Sequence, residues 1–101
     1  MTTYIITRHP ATITYLKEEF GYSTAIAVTH VDEEFFSHLE KGDQVIGVLP
    51  APLMARVCKI TKHPFTHFEI NLPPELRGKE LSVKDLKTLL PQLTKFMVKH
   101  L

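Results

Sequence analysis

The chain has 101 residues, of which 44% are hydrophobic and 23% charged, with a formal net charge of +1. That length and balance describe one folded unit spanning residues 1–101, with no polar tract for disorder and no bulk positive field for long nucleic acid. Cys58 is the single cysteine, which excludes a disulfide framework and a thiolate metal cluster.

Tyr4-Ile5-Ile6-Thr7 is a short apolar run that predicts a first strand, and Pro10 suits the first position of a helix. Over residues 10–20, Ile13, Leu16 and Phe20 recur at helical spacing while Lys17, Glu18 and Glu19 turn away, and Gly21 ends the helix. Ala25-Ile26-Ala27-Val28 predicts a second strand. Asp32 can cap a short helix that carries Phe35, Phe36 and Leu39 and stops at Gly42. Residues 45–49 predict a third strand, and residues 51–61 a helix with Leu53, Met54, Val57 and Cys58 on one face.

Phe68, Ile70 and Leu72 alternate with His67, Glu69 and Asn71, which predicts a fourth strand with one polar face, suited to a sheet edge or a partner. Ser82 and Asp85 form a capping box, and Leu86, Leu89, Leu90, Leu93 and Phe96 continue at helical spacing, with Pro91 expected to kink or split that helix. The order β-α-β-α-β-α-β-α predicts an α/β fold, a mainly parallel four-stranded sheet covered by helices on both faces. A strand order of 3-2-1-4 would set the loops after strands one and four at the switch point.

The start of the chain lacks a signal peptide's pattern, and no stretch approaches about 20 apolar residues, so a cytoplasmic protein without a membrane partner is expected. In open α/β sheets, ligands bind beyond the carboxyl ends of the strands. That rule selects Thr7-Arg8-His9-Pro10, Thr29-His30-Val31-Asp32, the loop from Leu49 through Pro50 to Pro52, and the segment from Asn71 to Lys79. Arg8, His9, His30, Arg77 and Lys79 all fall there, and helices starting near Pro10 and Ala51 would aim free N–H groups at the same crevice, as an anion requires. The plainer readings are a solvated Arg8 and a helix-capping His9.

His30 and Asp32 have a weak metal-like spacing, but no further histidine–carboxylate cluster supports it, and neither metal nor cofactor is expected. His38, His63 and His100 read as solvated, and Cys58 as core. Gly47 inside a strand suits either simple packing or a close approach to the backbone. Phosphate-binding glycine loops, zinc patterns and nucleophile elbows are absent. Arg8-His9-Pro10 is similar to the R-H-G of histidine phosphatases, which needs further arginine and histidine positions in a larger chain.

Three longer stretches, "YIITRHPATITY", "GDQVIGVLP" and "INLPPELRGKELS", resemble the small Csx-type CRISPR-associated proteins found beside type III systems. The resemblance runs nearly from end to end, with Ala11 in place of the usual glycine, Val31 inside what is often H-L-D, and little motif after residue 82. It implies a Rossmann-like domain similar to the CARF sensors and a homodimer that binds cyclic oligoadenylate. It also implies a ring nuclease that opens cyclic tetra-adenylate, by attack of a 2′-hydroxyl on the neighbouring phosphorus, and ends antiviral signalling.

On that reading Arg8 and Arg77 stabilise the phosphorane charge, and His9 moves the proton. Lys79 is a further phosphate contact, and Thr7, Pro10, His30, Pro50 and Asn71 line the ligand. The alternatives are a module that sequesters the cyclic nucleotide without cutting it, and an accessory protein that docks a partner on the polar face of strand four.

Overall fold

The computed structural model describes all 101 residues, in the order β1 (Thr3–Ile6), α1 (Pro10–Glu19), β2 (Ile26–Val28), α2 (Glu33–His38), β3 (Gln44–Gly47), α3 (Ala51–Thr61), β4 (Phe65–Glu69), a 3₁₀ turn (Pro74–Leu76), α4 (Val83–Leu89) and β5 (Gln92–Phe96). Three of the four helix starts follow from local chemistry. Pro10 opens α1. The Asp32 carboxylate accepts the Phe35 N–H at 2.9 Å. Ser82 and Asp85 exchange hydrogen bonds at 3.0 and 3.1 Å, a complete capping box.

The α/β class is as expected, but the sheet has five strands and is mixed, in the order β2-β1-β3-β4-β5. The first four are parallel, and β5 runs antiparallel to β4. The long C-terminal helix is therefore corrected to a short one followed by a strand. Leu90 turns left-handed at φ 52°, and Pro91 can neither donate a helical hydrogen bond nor clear the preceding turn, so the chain leaves the helix there. Beyond it the side chains alternate, and Phe96, Thr94 and Gln92 pair with Phe65, His67 and Glu69.

The strand order 3-2-1-4 is likewise corrected: β1 lies between β2 and β3, so strand order reverses between β1 and β3. Nor is β4 an edge, because β5 covers it. The exposed edge includes β2, whose Ile26 is 50% accessible although its sequence reads as buried. Phe20, expected on the buried face of α1, caps that helix instead and is exposed.

Successive strand residues feed opposite faces. Ile6, Val45 and Phe65 pack with Phe35 and Phe36 of α2 and Val57 and Cys58 of α3. Ile5, Ile46 and Phe68 pack with Tyr15 and Leu16 of α1 and Leu86 of α4. Burial of these side chains is the main driving force, about 1.5–3 kcal/mol each. Cys58 is 4% exposed, as its place on the core face of α3 predicts. Asp43 was not foreseen: it is buried, and its two oxygens accept the N–H groups of Thr2 and Glu40 at 2.9 Å each, which ties the entries of β1 and β3 together.

Candidate nucleotide-binding cleft

The switch between β1 and β3 opens a cleft of about 540 Å3 at the carboxyl ends of the strands. Its apolar floor includes Ile5, Leu16, Phe68 and Ile70, and its polar rim includes Thr7, Arg8, His9, Thr29 and His30. That volume lies within the ~300–1,000 Å3 of small-ligand sites, which combine an apolar lining with a few convergent polar groups.

Sheet geometry produces the convergence. Thr7 extends the β1–β2 ladder, donating its N–H to the Val28 carbonyl at 3.1 Å, and this brings the Thr7-Arg8-His9 and Thr29-His30 turns together. Thr7 Oγ1 accepts the His9 N–H at 3.1 Å, a local turn that sets His9 at the N-cap of α1. His9 occupies that position without a side-chain capping bond, so its imidazole is free for a ligand. Its carbonyl accepts the N–H groups of Thr12 and Ile13. Arg8 and His9 are both exposed, and neither side chain has a hydrogen-bond or ion-pair partner in the chain. Two cationic-capable groups thus stand unneutralised at a helix start, where the backbone favours an anion.

The structure gathers Thr7, Arg8, His9 and His30 at this cleft and leaves the other expected residues outside its lining. Pro10 begins α1 beside it, and Pro50 caps α3. Asn71, Arg77 and Lys79 lie exposed on the segment after β4, Arg77 closing the 3₁₀ turn. Sequence reasoning missed Thr12 and Val48 as lining residues, and it placed Thr29 in a strand-exit loop without giving it a contact. Thr12 lies four residues before Leu16 on α1, and Thr29 and Val48 each follow a strand, so helical spacing and the strand-exit rule were the available signals. Asp32 is used as the α2 cap, and no three histidine, cysteine, aspartate or glutamate side chains converge on a point.

Residues 4–99 match the family model "Putative CRISPR-associated protein (Cas_VVA1548)". The chain belongs to that family. The match spans both walls of the cleft and every strand from Tyr4 onward, so the switch-point site is inside the family's own domain. No curated protein and no solved structure matches the chain. No helix is long and apolar enough to cross a membrane.

Proposed function

We propose that this CRISPR-associated protein is a ring nuclease of type III systems that binds and opens cyclic oligoadenylate, with cyclic tetra-adenylate as its substrate. The observation that carries the reading is the cleft at the β1/β3 switch point, where Arg8, His9 and His30 meet an apolar floor. A cyclic oligonucleotide asks for this combination: cations for its phosphates and apolar surface for its adenines.

In this reading the 2′-oxygen of one adenosine bonds to the adjacent phosphorus as the bond to the 5′-oxygen breaks. The 2′-hydroxyl proton passes to His9, and the departing 5′-oxygen takes up a proton, leaving a 2′,3′-cyclic phosphate and a 5′-hydroxyl. Arg8 stabilises the charge that grows on the phosphorane oxygens, because a guanidinium can meet two of them at once. Thr7 and His30 hold the ribose and the neighbouring phosphate. A four-nucleotide ring exceeds one cleft of about 540 Å3, so two copies related by a two-fold axis each supply the same residues to half of it. Arg77 and Lys79, outside the cleft lining, then serve phosphates that project beyond it.

One observation favours a second reading, sequestration without cleavage. Neither Arg8 nor His9 is held by a side-chain partner, and in-line attack needs fixed geometry. Excess protein mixed with cyclic tetra-adenylate in EDTA, with products separated by chromatography, decides between them. Linear products ending in a 2′,3′-cyclic phosphate establish a metal-independent nuclease. Intact ligand that co-elutes with the protein makes it a sponge, and ligand that neither binds nor changes removes both readings.

A further inference from the structure

A second groove, of about 960 Å3, runs between α3 and the segment that follows β5, and it shares no lining residue with the nucleotide cleft. Its cations include Lys59, Lys62 and Lys99, none of them paired with a carboxylate, and no acidic residue lines it. The chain as a whole carries only +1, so this is a local concentration of positive charge. Between the lysines the surface is aliphatic, with Ile60, Met97 and Val98, and Met97 is 60% exposed. No backbone group of residues 97–101 is hydrogen-bonded within the chain, and β5 pairs with β4 alone, so the outer edge of β5 and the segment beyond it offer free N–H and C=O groups.

We propose that this groove binds an extended acidic peptide segment of a partner protein. The peptide pairs its backbone with the free edge at Met97–Lys99, as strands are added to open sheet edges. Alternate side chains then point the same way, so acidic residues meet Lys59, Lys62 and Lys99 while the residues between them pack on Ile60 and Val98. Charge complementarity selects an anionic occupant. Among anionic occupants a peptide fits better than single-stranded nucleic acid, which needs a row of aromatic platforms for successive bases, and the groove lining contains no phenylalanine, tyrosine or tryptophan, only the single imidazole of His100.

The probe is a fluorescein-labelled peptide of alternating glutamate and valine, followed by anisotropy, beside the same peptide with glutamine for glutamate and an oligoadenylate RNA. Saturable binding of the glutamate peptide is expected, weakening as salt rises and falling about tenfold or more in the Lys59→Glu, Lys99→Glu double variant. Val98→Pro, which deletes one backbone donor in the segment beyond β5, outside any helix or strand, should also weaken it while circular dichroism stays unchanged. Equal affinity for the glutamine peptide or tighter binding of the RNA would overturn the proposal. So would a self-association abolished by the double variant, which would make the occupant a second copy, or the absence of saturable binding. Cyclic tetra-adenylate turnover by the double variant reads the other cleft, so failure of this proposal and failure of the nuclease reading are separable.

Discussion

Gly47 on β3 stands beside Ile6 on β1 in parallel register, and a Cβ on Gly47 would lie 2.6 Å from the Ile6 carbonyl oxygen and 3.0 Å from its Cβ. The nearest obstacle is backbone, which cannot swing aside as a flexible side chain would. Gly47→Ala should therefore destabilise by about 1–3 kcal/mol, with Gly47→Val at or above the upper end. Urea denaturation checks this: the midpoint falls while the slope stays constant. An unchanged midpoint would mean that β1 and β3 separate at little cost. Of the two roles the sequence left open for Gly47, this contact is the close approach to the backbone, made by the neighbouring strand.

Much of the fold was legible because local chemistry specifies it. Pro10, Asp32 and the Ser82–Asp85 pair mark three helix starts, and apolar runs alternating with amphipathic segments mark parallel strands between helices. What was not legible is decided by contacts distant in sequence. Leu86, Leu89, Leu90, Leu93 and Phe96 fit a helical period by spacing alone, and only pairing with β4 turns the last of them into strand. Likewise nothing within Ala25–Val28 says that its strand lies at an edge. At the cleft, the strand-exit rule found Thr7, Arg8, His9 and His30 because it depends on topology class rather than strand order. Thr12 escaped it because a helix residue reaches the cleft from the side.

If the ring-nuclease reading holds, His9→Ala should slow single-turnover cleavage by roughly 10²–10⁴-fold, the ordinary worth of a positioned acid–base group. Arg8→Ala should impair both binding and cleavage, and Arg8→Lys should restore more binding than rate, since an ammonium keeps the charge and loses the planar fork. Wild-type single-turnover rates in His9→Ala would remove His9 from the chemistry.

Asp43→Ala tests the buried carboxylate that holds the entries of β1 and β3. The substitution leaves the Thr2 and Glu40 N–H groups without their acceptor. Hydrogen bonds to charged groups contribute about 1.5–3 kcal/mol each, and the loss should show as a lower thermal midpoint. Hydrogen exchange should accelerate first at Thr2 and Glu40. Protection unchanged at both sites would show that the carboxylate is dispensable.

Truncation after Leu90 removes β5 and bares the whole outer edge of β4, including the backbone beside Phe65 and Phe68, which are 0% and 8% exposed in the intact chain. An uncovered apolar edge invites pairing with other copies. The truncated chain should aggregate in light scattering where the full chain does not, and a monodisperse, folded truncation would make β5 an appendage rather than part of the sheet.

The Glu33–Arg56 pair gives the surface a defined acid response. Both guanidinium nitrogens reach the carboxylate, at 2.5 and 2.7 Å, and the same guanidinium lies 4.0 Å from the centre of the Phe36 ring. The hydrogen bond from Arg56 leads in holding the Glu33 carboxyl below its usual 4.5, opposed by desolvation, with the Arg56 charge adding the smallest pull. A depressed carboxyl stabilises the fold above its unfolded value and ceases to do so as pH falls through the lower folded value. The parent should therefore be slightly more stable than Glu33→Gln at neutral pH, and the gap should close below about pH 4.5. Because both side chains are solvated, the gap is small at physiological salt and shrinks further as salt rises. A difference between the two proteins that persists unchanged in acid would assign the effect to packing on Phe36 instead of to charge.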